Sequence, residues 1–204
     1  CLNQQTVACT TPATIPENAH SVSANVTITF DGTNWTEPAT CALACYDGFH
    51  LSGTACVANV AIGWCNVQSP KDFTGPVGDD AVFYGRFYSP GTEAAGQLPG
   101  VDAKFCYGVG PITADTDLSS LFCEVAEFNP AALEPGNNDE YEALALFDTA
   151  GSFDYVYAFS GDGQQTWKIC DAADADDVWT TGKATVLAPL DGARTVALPV
   201  VHTS

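Results

Sequence analysis

The chain has 204 residues, of which 46% are hydrophobic, and its 25 acidic residues against 6 basic ones give a formal charge of −19. A field of that sign repels phosphate backbones and anionic headgroups, which excludes nucleic acid and membrane surfaces as partners. No apolar run reaches the roughly 18 residues of a membrane span, and the apolar fraction is too high for general disorder, so the chain holds one large domain or a small one plus a medium one.

There is no methionine and no visible signal peptide, which points to the processed end of a mature secreted protein or the start of an excised fragment. Nine cysteines stand at 1, 9, 41, 45, 56, 65, 106, 123 and 170, without a C-x-x-C pair, and His20, His50 and His202 lie far apart. That pattern disfavours zinc and predicts disulfides formed in an oxidising, extracellular compartment. An odd count leaves one thiol over, assigned here to Cys1, which would join another chain or carry a modification.

Residues 1–58 hold Glu17, Asp31, Glu37 and Asp47 but no Lys or Arg, and five of the nine cysteines. Ser23 to Phe30 alternates Val26, Ile28 and Phe30 with polar neighbours and predicts a strand. Asp31-Gly32-Thr33-Asn34 predicts a turn, and Trp35 opens a second short strand that Pro38 stops. So short a segment buries too little apolar area alone and needs staples, for which the pairs Cys9–Cys41 and Cys45–Cys56 are adopted, although spacing alone does not fix connectivity.

A succession of strands follows: Val60–Gln68, Ala81–Tyr88, Ala103–Val109, Leu121–Phe128 and Glu140–Phe147, the last with a composition that would also suit a short helix. The clearest signal runs from Ser152 to Cys170. Phe153, Tyr155, Tyr157 and Phe159 recur at period two, and Gly161-Asp162-Gly163 interrupts them. Thr166–Cys170 resumes the alternation with Trp167 and Ile169 on one face. This is a β-hairpin with an aromatic face that other strands must cover. Ala184–Ala188 is a further short strand, and Gly/Pro/Asn/Asp clusters separate the elements. The expected fold class is therefore all-β: a small disulfide-stapled module over 1–58, an antiparallel β-sandwich over 59–189, and a C-terminal extension over 190–204.

Two resemblances bear on the fold. Gln5-Thr6-Val7-Ala8-Cys9-Thr10, Phe30 to Thr36, and Cys45…Gly48-Phe49-His50-Leu51…Cys56-Val57 resemble a small cysteine-rich repeat of bacterial surface and secreted proteins. Ile62 to Gln68, Tyr84 to Tyr88, Cys106-Tyr107-Gly108, Gly136 to Tyr141 and Thr149 to Tyr155 resemble an immunoglobulin-like sandwich appended to bacterial secreted proteins. The first resemblance implies a stalk or array module. The second implies a non-catalytic domain beside hydrolases or in surface proteins, and with it go the pairs Cys65–Cys106 and Cys123–Cys170.

No nucleophile–base or phosphate-binding motif stands in its required context, so no catalytic residue is assigned and the chain is expected not to be an enzyme. Asp171, Asp174, Asp176 and Asp177 offer hard oxygen ligands suited to Ca²⁺, with a solvated acidic loop as the alternative. Trp179, the least periodic of four tryptophans, is a candidate glycan platform; the other aromatics read as core. Asn25-Val26-Thr27 and Asn34-Trp35-Thr36 match the N-glycosylation pattern, which has no meaning in a bacterial source. In Thr195–Val201, Val196, Leu198 and Val200 alternate, which suits a strand added to a neighbouring copy. The expected function is that of an extracellular structural or adhesive protein, a self-assembling surface or filament subunit with copies of itself as partner. The alternative is a carbohydrate-binding module of a larger secreted hydrolase. No cofactor beyond Ca²⁺ is expected.

Overall fold

A computed structural model describes residues 3–91, 96–132, 138–173 and 178–188. The N-terminal part forms three two-stranded antiparallel sheets: β1 (Gln4–Ala8) with β3 (Asn25–Thr29), β2 (Ala19–Ser21) with β4 (Leu43–Cys45), and β5 (Phe49–Ser52) with β6 (Ala55–Ala58). Its buried apolar residues are Cys9, Ala19, Ile28, Cys41 and Cys56. Three of those are half-cystines, so the bridges Cys9–Cys41 and Cys45–Cys56 take the place of a core, in the pairing expected. In the turn after β3, the Asp31 carboxylate accepts from the Thr33 and Asn34 amides, each at 2.8 Å, which holds it below its ordinary pKa. Trp35 makes only an isolated bridge to Phe30 instead of opening a strand; Pro38, which has no N–H to donate, lies just beyond.

From Trp64 onward the alternation of large apolar residues builds one nine-stranded sheet folded nearly into a barrel. Its strands are β7 (Trp64–Ser69), β8 (Asp72–Pro76), β9 (Asp80–Tyr88), β10 (Asp102–Gly108), β11 (Phe122–Phe128), β12 (Asn138–Leu146), β13 (Gly151–Ser160), β14 (Lys168–Cys170) and β15 (Gly182–Leu187). The order is β7-β9-β12-β11-β10-β13-β15-β8, with β14 beside the far half of β13. All pairings are antiparallel except β15–β8. Without β8 and β14, one layer is β7-β9-β12-β11 and the other β10-β13-β15. These match the A-B-E-D and C-F-G strand order of an immunoglobulin constant-type sandwich. The Glu140–Phe147 segment is strand, not helix. Asp72–Pro76, which carries Gly and Pro and no alternation of large residues, is a strand the sequence did not announce.

The core lies between the layers. Phe83 of β9 stacks on Phe105 of β10 at 4.2 Å between ring centroids, and Tyr155 meets Phe83 edge-on at 5.0 Å. Buried phenols must find acceptors, and they do so across the layers. The Tyr157 hydroxyl donates to the Phe83 carbonyl at 2.6 Å and the Tyr155 hydroxyl to the Pro70 carbonyl at 2.8 Å. Room for these rings comes from glycine: a Cβ at Gly85 would overlap the Tyr157 ring, and one at Gly182 the Tyr155 ring. Outside β13 a second cluster forms, where Ile112, Leu118 and Leu121 cover Cys106, Val156 and Ile169.

Here the disulfides depart from expectation. Cys65 bonds Cys170, and Cys106 bonds Cys123. Side-chain parity is the reason. Phe105 and Tyr107 point inward, so Cys106 points outward, where Cys123 lies directly opposite in the β10–β11 register. Cys65 shares the inward parity of Val67, and Cys170 that of Tyr157, its register partner. Neither Cys65–Cys106 nor Cys123–Cys170 places two sulfurs on one face.

Two outcomes follow from the core. Burial raises the hydroxyl pKa of Tyr157 and Tyr155 well above 10.0, and pushes that of Tyr141 up to about 12. A folded-state pKa raised above the unfolded one leaves stability intact below pH 10 and lowers it progressively as pH rises past that value. An alkaline titration is therefore expected to show tyrosinate absorbance from these rings appearing together with loss of near-UV circular dichroism, not before it. For the bridges, chain-entropy reasoning assigns about 4.7 kcal/mol to closing a loop of about 100 residues and about 3 kcal/mol to one of about 15. With separations of 105 and 17, Cys65→Ala/Cys170→Ala should lower the denaturation midpoint more than Cys106→Ala/Cys123→Ala.

Candidate functional site

The corner of the folded sheet creates a groove. β11 pairs with β10 only from Phe122 to Ala126; from Glu127 on it pairs with β12. β10 continues to Asp102, paired there with β13 alone. The diverging strands open a groove of about 580 Å³. Its floor includes Val101, Ala126, Phe128 and Tyr141, and the Tyr141 hydroxyl donates to the Val101 carbonyl at 3.4 Å, where β11 no longer does. Gln97, Asp102, Lys104, Glu127, Gln164 and Trp167 bring polar groups and an indole to the same space.

Two loops carry the rim. In the first, the buried Asp139 carboxylate accepts from the Leu98 amide at 2.7 Å and so fixes the segment that presents Gln97. In the second, Asp162 accepts from the Thr166 amide at 2.9 Å, the Thr166 hydroxyl at 2.6 Å and the Ser160 hydroxyl at 2.8 Å. Burial works against the Asp162 charge, but the Thr166 and Ser160 bonds outweigh it and hold the carboxyl below its ordinary value. Within this loop Gln164 has φ +67°, a left-handed conformation unusual for a residue with a Cβ, and its amide donates to Ser160 Oγ at 2.9 Å. The loop delivers Trp167 beneath Lys104, whose ammonium sits 4.3 Å from the ring centroid. Among the described residues no carboxylate pairs with Lys104.

A second, almost wholly polar pocket of about 360 Å³ adjoins the first, shares Gln97, Val101, Asp102 and Gln164 with it, and is closed by His50 to Gly53 of the β5–β6 hairpin. His50 is buried; its Nδ1 lies 2.9 Å from Asn59 Oδ1, which can only accept, so Nδ1 is the donor of this bond. The ring packs on Gly100 and Gly163, where a Cβ would come within 2.9 and 3.1 Å of it. One imidazole thus touches both rim loops.

The residues singled out from sequence fall elsewhere. Asp171 uses its carboxylate to accept from the Thr180 amide at 3.0 Å and its carbonyl to accept from the Val67 amide at 2.6 Å. Asp174, Asp176 and Asp177 lie outside the described residues, as do Cys1 and the segment with Val196, Leu198 and Val200. Among the described residues no three His, Cys, Asp or Glu side chains are placed to hold a metal ion. Trp179 is 37% exposed, with its indole N–H committed to the Ile112 carbonyl at 3.0 Å, and it does not line the groove. The sequence places Trp167 on one hairpin face with Ile169 and reads it with the core aromatics, and nothing in it marks Gln97 or Gln164. Compared with known proteins, the chain matches no family model and no curated protein.

Asp139 yields a prediction. Burial raises its carboxyl above 3.8, opposed by the Leu98 bond. Ionisation therefore costs the folded state, a cost absent below pH 3.8 that grows as pH rises past it. Asp139→Asn keeps a carbonyl for the Leu98 amide and removes the charge. Chemical denaturation should show the variant more stable than the parent chain at pH 7, with the difference vanishing near pH 3.

Proposed function

We propose that the chain is an extracellular, non-catalytic adhesive module that holds carbohydrate in the groove between β10 and β11. The observation that carries this reading is the groove's lining. Phe128 on the floor and the Trp167 indole on the rim offer apolar surface to a sugar ring, while the Gln97 and Gln164 amides, the Lys104 ammonium and the Asp102 and Glu127 carboxylates supply both donors and acceptors. Every sugar hydroxyl is both donor and acceptor and needs such a mixture. Four disulfides and a β-rich fold fit an extracellular setting. A glycan array probed with the full chain is expected to show binding that Trp167→Ala reduces at least tenfold and Trp179→Ala leaves unchanged. No hydrolysis of the bound glycan is expected; turnover would remove the non-catalytic part of the reading.

A second reading, self-assembly into a surface filament, is favoured by one specific feature. On the outer face of β9, β12 and β11, Val82, Leu144, Leu146 and Val125 are 41%, 59%, 48% and 73% exposed, an apolar patch on an otherwise acidic chain. Sedimentation should then show concentration-dependent association that Leu144→Glu abolishes without changing the circular dichroism; a monomer at all concentrations would leave the adhesive reading alone.

A further inference from the structure

The groove and the polar pocket beside it form one cleft, and its second half belongs to the N-terminal hairpin β5–β6. We infer that this cleft takes a neutral oligosaccharide of at least two units, with a polar outer subsite between His50–Gly53 and the Gly100–Asp102 segment. The inference rests on the carbohydrate reading of the groove and extends it.

Continuity is the first support. The two spaces, about 580 and 360 Å³, share Gln97, Val101, Asp102 and Gln164. Each falls within the roughly 300–1,000 Å³ typical of a small-molecule site. A single hexose would fill only part of the pair.

The division of chemistry is the second. Aromatic surface lies on the groove side, where Trp167 and Phe128 stand. The pocket side offers Ser52, the Gln97 and Gln164 amides, the Asp102 carboxylate and backbone groups around the buried His50, with Leu51 beside them. One unit of the ligand thus packs its ring face while the next is held by its hydroxyls. This suits a chain of sugars and is ill-suited to an apolar ligand, which would strand the polar half unpaired.

Charge selects a neutral ligand. Asp102 and Glu127 outnumber Lys104 in the groove, and the surrounding chain carries −19. An anionic sugar would meet that field at every distance within the screening length.

His50 makes the outer subsite part of the same rigid body. It contacts both Gly100 and Gly163, the residues next to Val101 and Gln164 in the lining, so the hairpin and the two rim loops are held in one arrangement before any ligand arrives.

Calorimetry of the full chain with neutral hexose oligosaccharides of one to four units tests this. Affinity is expected to rise at least tenfold from one unit to three and to be insensitive to salt. Ser52→Trp, a substitution at an exposed position that fills the pocket, should remove the gain with length while leaving single-unit binding intact. Trp167→Ala should weaken every length. Equal affinity for one and three units, or a gain that survives Ser52→Trp, overturns the outer subsite and leaves the groove reading standing. No binding at any length removes both.

Discussion

The Tyr157 hydroxyl is the constraint on which the sandwich depends. It lies at the centre of an aromatic core where water cannot reach, and it finds the Phe83 carbonyl on the opposite layer. A donor left unpaired there would cost about 1–3 kcal/mol, a sizeable share of a domain's net stability. Satisfying it brings the two layers together at one spot, and only a residue without a Cβ at position 85 permits that approach. Around this contact β13 is buried on both faces, inward by Tyr155, Tyr157 and Phe159, outward by Val156, Ala158 and Ser160. A strand covered twice sits inside the sheet, and β13 accordingly has β10 on one side and β15 and β14 on the other.

Much of the large sheet was legible because its strands obey a period of two. The hairpin of β13 and β14 stands where the alternation of Phe153, Tyr155, Tyr157 and Phe159 places it, with Trp167 and Ile169 on the face opposite Tyr157. The same periodicity marks Cys106 as outward between inward Phe105 and Tyr107, but the inward parity of Cys65 comes from the packing of β7 and from no local alternation, so its bridge to Cys170 was not legible. β8 was not legible, since Gly75 and Pro76 give it the look of a turn and its pairing with β15 is a long-range, parallel one.

The groove was hidden for a different reason. It arises where β11 changes partners between Ala126 and Glu127, and no local pattern announces such a change. Gln97, Gln164 and Trp167 come from loops fixed by carboxylates, Asp139 and Asp162, that look in sequence like two more acids among 25. What distinguishes them is what they accept from: Asp162 closes its own loop on the Thr166 amide, and Asp139 takes the Leu98 amide across 41 positions of sequence.

The bridge between Cys65 and Cys170 has a mechanical meaning. The N-terminal segment meets the large sheet at Val60, whose amide donates to the Gly161 carbonyl beyond the end of β13, while β15 ends at Leu187, near the opposite end at Gly151. Entry and exit are therefore separated by nearly the length of that strand, roughly 30 Å at about 3.4 Å per residue. Tension applied through residues on either side of the large sheet runs along its strands. The shortest covalent route for that tension crosses the sulfurs from Cys65 to Cys170 and bypasses everything between them. Under oxidising conditions residues 66–169, which carry the groove, are shielded from stretching, whereas the His50–Gly53 hairpin and the residues beyond Cys170 lie outside that bridge.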